Sequence, residues 1–202
     1  MKISVLQFPG TNCEYDAKYA FEQLGCEVEI IWHKEKSIPA DTDLLVIPGG
    51  FSYGDYLRSG AIARFANVME SVQEYASKGG KVLGICNGFQ ILLEAGLLPG
   101  AMKRNDSLHF ISKYHTLKVI NNDNIFLSLL KKDEVLNIPV AHHDGNYFID
   151  DKGLKELEQN GQILLKYCDK DGNLTNMNGS VSNIAGICNK EKNVFGLMPH
   201  PE

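Results

Sequence analysis

The sequence predicts an α/β protein with an open, mostly parallel central sheet, helices on both faces of that sheet, and a β-rich, antiparallel second half. In the first half, short apolar runs alternate with segments of helical spacing, and glycine or proline marks most junctions. In the second half, strand-like runs follow one another with one short helical segment among them. The first pattern is typical of parallel sheets and the second of antiparallel ones.

The elements of the first half are placed by the residues that begin and end them. Pro9 and Gly10 end the first strand, and Thr11 or Asn12 then caps a helix that continues to about Leu24. This alternation favours a flavodoxin-like sheet. We expect strands at residues 3–8, 28–32, 43–47 and 82–85, and helices at residues 11–24, 61–77 and from residue 87 onward.

The second half is expected to consist of strands joined by tight turns. Asp171-Gly172 is a dipeptide typical of a hairpin turn. Because no repeat or linker divides the sequence, residues 1–202 are expected to form a single domain. We expect strands at residues 108–120, 135–141, 163–168, 184–188 and 194–198, and a short helix at residues 154–159.

The composition is that of an ordinary globular protein and argues against several functions. Hydrophobic residues make up 44% and charged residues 22% of the 202 positions. A net charge of −5 without a Lys/Arg cluster argues against nucleic-acid binding, and no apolar stretch approaches the ~20 residues of a membrane span. The chain opens on a strand-like run rather than a signal peptide, and its five cysteines include no Cys-x-x-Cys pair. We therefore expect a reduced, cytoplasmic protein with no metal or cofactor of its own.

One cysteine stands where a strand turns directly into a helix. Val82–Ile85 is the predicted strand, the helix begins at Asn87, and Cys86 occupies the corner between them. Gly84 and Gly88 flank it at i−2 and i+2, where side chains would collide with a tight turn. This is the arrangement of a nucleophile elbow with cysteine in place of serine. The helix start also brings partial positive charge and N–H groups to the sulfur, so Cys86 is the predicted nucleophile.

A catalytic thiol needs a base and a group that orients the base. Pro199 and Pro201 favour an extended backbone around His200. Side chains two residues apart in an extended chain face the same way, so Glu202 is placed beside His200. The sequence therefore predicts His200 as the base and Glu202 as its orienting carboxylate.

Two glycines after the third strand predict a site for the oxygen of a reaction intermediate. Gly49 and Gly50 let backbone N–H groups approach a ligand without interference from a Cβ atom. The N–H of Asn87, together with that of Gly50 or Phe51, would form an oxyanion hole.

These signals share one edge of the predicted sheet. The glycine pair, Cys86 and His200 each follow the carboxyl end of a predicted strand, which is the edge where open α/β sheets bind ligands. Acyl transfer through a thioester follows: Cys86 attacks a carbonyl, His200 moves protons, and water releases the acid.

These residues resemble the motifs of the class I (triad) glutamine amidotransferases. The resemblance implies that the substrate is glutamine, hydrolysed to glutamate and ammonia, and that Gln90 and the backbone around Gly50 help to bind it. It is carried by Gly84-Ile85-Cys86-Asn87-Gly88-Phe89-Gln90, Met198-Pro199-His200-Pro201-Glu202 and Pro48-Gly49-Gly50.

A narrower resemblance extends along the whole chain, to the family of glutaminase subunits of phosphoribosylformylglycinamidine synthase. It implies that the ammonia is used in purine biosynthesis by a separate synthetase subunit, which uses ATP and Mg²⁺, and that a small third subunit bridges the two. The segments that carry it are Gln7-Phe8-Pro9-Gly10-Thr11-Asn12, residues 50–61 and residues 178–187.

Two other functions stay open at the level of sequence. The same elbow would serve a free-standing cysteine hydrolase of γ-glutamyl substrates, which differs from the first hypothesis in needing no partner. A non-catalytic binding module on the same fold is the third possibility, and the intact Cys86, His200 and Glu202 argue against it.

Overall fold

The strand–helix alternation of the first half is confirmed in the computed structural model, which describes all 202 residues. The chain divides into two compact units, one of residues 1–97 with Glu202 and one of residues 98–201. The first unit contains strands β1 (Lys2–Gln7), β2 (Glu27–Trp32), β3 (Leu44–Ile47) and β4 (Lys81–Ile85), and helices α1 (Glu14–Gln23), α2 (Val68–Ser77) and α3 (Asn87–Glu94).

The strands of the first unit form a parallel sheet in the order β2-β1-β3-β4. This is the beginning of the flavodoxin-like order. The chain leaves β1 toward one edge through α1 and leaves β3 toward the other edge through α2. Because such crossovers are right-handed, α1 and α2 lie on opposite faces of the sheet, as predicted. Strand β3 is fully buried, as expected for a central parallel strand.

The second unit is antiparallel, as the sequence indicates. Its strands lie in the order β11-β10-β9-β6-β7, and a separate two-stranded sheet pairs β5 with β8. Asp150 caps the single α-helix by accepting a hydrogen bond from the Gly153 N–H at 2.7 Å. The elements are β5 (Ala101–Lys103), β6 (Ile111–Val119), β7 (Val135–His142), β8 (Asn146–Phe148), α4 (Asp151–Gln159), β9 (Ile163–Cys168), β10 (Ile184–Cys188) and β11 (Val194–Leu197).

Three predicted helix starts are wrong, and one of them is that of α4, which begins at Asp151 rather than at Leu154. Helix α1 begins at Glu14 because the N–H groups of Asn12 and Cys13 both donate to the Gly49 carbonyl, at 3.2 and 3.1 Å. These bonds hold the backbone outside the helical path. The helix expected from residue 61 begins only at Val68, because Ala66 is extended, with φ −65° and ψ 147°.

The tight turn predicted at Asp171-Gly172 is confirmed. The Gly172 N–H donates to the Asp169 carbonyl at 3.1 Å, and Gly172 has a φ of +80°. After this turn, Leu174 pairs with Cys168 in an isolated antiparallel bridge. None of the helices has the length and apolar character needed to cross a membrane.

We expect Gly88→Ala to destabilise the protein although alanine is the better helix former. A Cβ at Gly88 would overlap the carbonyl oxygen of Ile47, which is backbone and cannot swing away. The expected loss in free energy of unfolding is about 2 kcal/mol or more, measured by urea denaturation.

Gly153→Ala is the matched control, since Gly153 also lies in a helix. Its Cβ would meet the end of the Ile149 side chain, which is able to rotate. Its unfolding free energy should stay within about 1 kcal/mol of the parent protein. Equal losses in the two variants would contradict the packing argument.

Candidate active site

The corner between β4 and α3 has the geometry of a nucleophile elbow. Cys86 has φ +49° and ψ −105°, a backbone conformation that non-glycine residues rarely adopt. Such a residue persists only where the surrounding structure holds it, and it often marks a functional site. Cys86 is also only 6% exposed. The strand-to-helix corner predicted from the sequence is confirmed.

The flanking glycines allow α3 to lie directly on the sheet. A Cβ at Gly88 would overlap the Ile47 carbonyl of β3, and one at Gly84 would come within 2.8 Å of the Gly88 backbone. Since neither glycine has a positive φ, both are needed for close approach rather than for backbone freedom. The two glycines at i−2 and i+2 from Cys86 are therefore explained by the close packing of α3 on the sheet.

The first turn of α3 supplies N–H groups next to the sulfur. The Gln90 N–H donates to the Cys86 carbonyl at 3.2 Å and so closes the first turn. The N–H groups at the start of a helix have no intrahelical acceptor and carry partial positive charge. The Asn87 N–H, directly after Cys86, is the first of them.

The segment after β3 is bonded to the segment after β1. The Phe51 N–H donates to the Gly10 carbonyl at 2.8 Å, and Gly10 and Gly50 have φ values of +87° and +145°. A Cβ at Gly50 would lie 2.5 Å from the Asn12 nitrogen. Of the two alternative oxyanion donors predicted from the sequence, the N–H of Phe51 is thus already bonded to the Gly10 carbonyl. The N–H of Gly50 becomes the candidate.

The side chain of Asn87 connects this segment to the helix. Its Oδ1 accepts from the Ser52 N–H at 3.0 Å, and its Nδ2 donates to Gln90 Oε1 at 2.8 Å and to Asp55 Oδ1 at 3.4 Å. Of the predicted site residues of the first unit, Asn87 and Gln90 are thus bonded directly to each other, and Asn87 also bonds to Ser52, which follows Gly50 and Phe51 in the chain. Sequence reasoning missed the role of the Asn87 side chain.

His200 lies in the second unit, three residues beyond the end of β11. Its N–H donates to the Pro139 carbonyl of β7 at 2.9 Å, while the Met198 N–H donates to the Ala185 carbonyl of β10 at 3.0 Å. The imidazole is half-buried, and so is Glu202. The triad of Cys86, His200 and Glu202 stays a prediction.

A second histidine of this unit is buried in a polar network. Asn105 Nδ2 donates to the carbonyls of His109 and His142, and its Oδ1 accepts from the Gly145 N–H. These bonds fix the amide orientation, so the His142 Nδ1, 3.1 Å from Asn105 Oδ1, carries the proton. Burial and, to a lesser degree, the nearby His200 lower the pKa of His142 to about 4. At neutral pH His142 is therefore an uncharged neighbour of His200.

Nothing in the sequence marks Asn105 for this role. The bonds that matter join residues 37 and 40 positions apart. The adjacent His143 is different: it is half-buried, and its Nδ1 lies 2.9 Å from Asp144 Oδ1.

Residues 1–202 match the CobB/CobQ-like glutamine amidotransferase domain, and the chain belongs to this family of glutamine amidotransferases. Among its relatives is the phosphoribosylformylglycinamidine synthase subunit PurQ of Sulfurimonas denitrificans, 71% identical over the whole chain and 90% of the relative. The subunit of the same name from Campylobacter jejuni is 58% identical over the whole chain and 87% of the relative.

Solved structures agree with this assignment. A chain in the structure of PurLQS from Thermotoga maritima superposes with a TM-score of 0.88 at 42% identity, covering 99% of this chain and 87% of that one. The glutaminase domain of Trypanosoma brucei CTPS, solved with bound acivicin, has a TM-score of 0.63 at 13% identity and covers 100% and 86% of the two chains. The second likeness shows a shared fold.

We expect the buried His142 to make stability depend on acid pH. Its folded-state pKa of about 4 lies below the ordinary value of 6.5, so between these values the unfolded chain binds a proton that the folded chain does not. The contribution of His142 to the free energy of unfolding is therefore complete above pH 6.5 and is lost as the pH decreases toward 4. The expected loss between pH 7 and pH 4.5 is about 2 kcal/mol.

Urea unfolding of the parent protein and of His142→Gln at both pH values isolates this contribution, because all other groups are shared. The difference in unfolding free energy between the two should shrink by about 2 kcal/mol at the lower pH. His109→Gln, at an exposed histidine, is the control and should follow the parent. A constant difference for His142→Gln would refute the buried neutral state.

Proposed function

We propose that this chain is the glutaminase subunit of a phosphoribosylformylglycinamidine synthase. It hydrolyses glutamine to glutamate and ammonia, and the ammonia serves the ATP-dependent conversion of formylglycinamide ribonucleotide to formylglycinamidine ribonucleotide in purine biosynthesis. The observation that carries the proposal is the strained cysteine at the strand–helix corner. Full-length identity of 71% to a PurQ subunit supports the particular reaction.

In this proposal His200 takes the proton of the Cys86 thiol, and the sulfur attacks the side-chain amide carbon of glutamine. A C–S bond forms, and the carbonyl electron pair moves to the oxygen, which the N–H groups of Asn87 and Gly50 stabilise. His200 then protonates the departing nitrogen, so ammonia leaves and a γ-glutamyl thioester remains. Glu202 orients the His200 imidazole.

The second half of the reaction regenerates the thiol. His200 takes a proton from water, the resulting hydroxide attacks the thioester carbonyl, and the same N–H groups hold the oxygen again. Collapse of the intermediate breaks the C–S bond and releases glutamate, and His200 returns its proton to the Cys86 sulfur. Gln90 helps to bind the glutamine substrate throughout.

The partners in this proposal are a synthetase subunit, which uses ATP and Mg²⁺, and a small bridging subunit. Two likenesses support these partners. This chain resembles a chain of PurLQS from Thermotoga maritima, and its relatives are named as subunits of the synthase. We propose that residues 1–202 act as a single glutamine amidotransferase domain, because the family match spans all of them. We also propose a reducing, cytoplasmic location, since none of the five cysteines forms a disulfide.

We expect Cys86→Ala to abolish glutaminase activity while leaving the protein folded. The side chain is the proposed nucleophile, and its loss leaves no atom that could form the thioester. Ammonia release from glutamine in the presence of the synthetase should fall by at least about 10⁴-fold. Cys26→Ala, outside the site, is the control and should keep parental activity. Parental activity in Cys86→Ala would refute the assignment of the nucleophile.

The partner requirement separates the proposal from a free-standing hydrolase. We expect slow glutamine hydrolysis by the isolated chain and a clear increase on titration with the synthetase subunit, because catalytic hydrogen bonds often reach their final geometry only in the complex. The measurement is glutamate formation against synthetase concentration. Rapid hydrolysis of γ-glutamyl peptides by the isolated chain, unchanged by the synthetase, would instead identify a free-standing cysteine hydrolase.

A further inference from the structure

The side chain of Asn87 bonds to both elements that the proposed function assigns to glutamine. We propose that it is a positioning residue, which fixes the segment after Gly50 and the amide of Gln90 against the Cys86 elbow. This inference rests on the proposed function, and it concerns the carboxamide of Asn87 rather than its backbone N–H.

The hydrogen bonds of the carboxamide leave one orientation. The Ser52 N–H is a donor, so the atom 3.0 Å from it is the acceptor Oδ1. The amide nitrogen then faces two acceptors, Gln90 Oε1 at 2.8 Å and Asp55 Oδ1 at 3.4 Å. A side chain with one acceptor and two donor hydrogens is needed at this position, and asparagine provides both.

Three of the four members of the network are removed from water, and Asp55 is half-buried. Asn87, Ser52 and Gln90 are 1%, 2% and 4% exposed. A buried polar group that loses its partner has no water to replace it, so each bond constrains its neighbours strongly. Asn87 therefore sets the orientation of the Gln90 amide, with its oxygen toward the helix start.

The loop that follows Gly50 needs such a restraint. Tyr53, Asp55 and Leu57 have φ values of +53°, +52° and +71°, so three side-chain-bearing residues lie in the left-handed region. A backbone of this kind relaxes unless contacts hold it. The bond from Ser52 to Asn87 is the restraint two residues from Gly50, whose N–H is the proposed oxyanion donor.

Backbone bonds such as that of the Phe51 N–H to Gly10 also hold this segment, but the other side-chain restraints act farther along the loop. The Tyr53 hydroxyl lies 2.7 Å from His33 Nδ1, and Arg58 forms a two-bonded ion pair with Glu94 at 2.6 and 2.7 Å. Removing one of them loosens the loop without touching the carboxamide. Tyr53→Phe is therefore the matched control for Asn87→Ala.

Three measurements in the presence of the synthetase test the inference. We expect Asn87→Ala to lower kcat for glutamine hydrolysis by about 100-fold, the effect of a misplaced oxyanion donor, with a smaller change in KM. The rate of Cys86 labelling by acivicin should fall in parallel. Alkylation by iodoacetamide, which needs neither glutamine binding nor the oxyanion hole, should stay within about threefold of the parent rate. Tyr53→Phe should keep kcat within about threefold.

Parental kcat in Asn87→Ala, or an equal loss in Tyr53→Phe, would overturn the inference. So would an equal loss of iodoacetamide alkylation, since that outcome indicates general damage to the elbow. If the parent protein itself shows no glutaminase activity with its synthetase, the proposed function fails, and that result is separate from the behaviour of the variants.

A second pair of variants covers the case in which Asn87→Ala does not fold. Asn87→Asp keeps an acceptor for Ser52 but places two carboxylates together. Asn87→Asp with Asp55→Asn exchanges the two groups across the same contact, and because neither variant donates to Gln90, the pair tests how Asn87 holds the segment after Gly50. We expect the double variant to exceed the single one in kcat by about tenfold. Equal kcat values would count against the inference.

Discussion

The close contact between α3 and β3 is the constraint on which the proposed site depends. Cys86 holds a positive φ, which costs free energy, and it keeps that conformation because the helix behind it has no room to shift. Gly88 lies so near the Ile47 carbonyl that a single methyl group would not fit. The same contact fixes the start of α3, and with it the position of the Asn87 N–H relative to the sulfur.

A second backbone contact determines the other side of the site. The segments after β1 and β3, the two strands between which the flavodoxin-like order reverses, are bonded to each other, and Gly10 and Gly50 allow this approach. This contact occupies the Phe51 N–H. The Asn87 carboxamide then joins the segment to the elbow through Ser52. Two glycine-dependent contacts and one buried amide therefore define the position of the proposed oxyanion donors.

Sequence reasoning succeeded where the local structure depends on residues that are neighbours in the chain. The change from a strand pattern to a helical pattern at Cys86, with glycines on both sides, is a local signal, and the corner is present as predicted. It failed where hydrogen bonds to distant segments determine the path of the backbone. The start of α1 is set by Gly49, more than 30 residues away, and no local pattern of Asn12 or Cys13 reports those bonds.

The same limit applies to side chains with long-range partners. The Asn87 carboxamide bonds to Ser52 and Asp55, and the buried state of His142 depends on Asn105, 37 residues away. Each of these residues reads in the sequence as an ordinary polar position. Their importance comes from burial, which turns an optional hydrogen bond into a required one.

The central claim is that Cys86 forms a covalent bond to the γ-carbonyl of glutamine. The most direct test is to mix the protein and its synthetase partner with glutamine, quench with acid during turnover, and map the modified peptide by mass spectrometry. We predict a γ-glutamyl group on the peptide that contains Cys86, and none in Cys86→Ala. Turnover without that adduct, or an adduct on another cysteine, would contradict the claim.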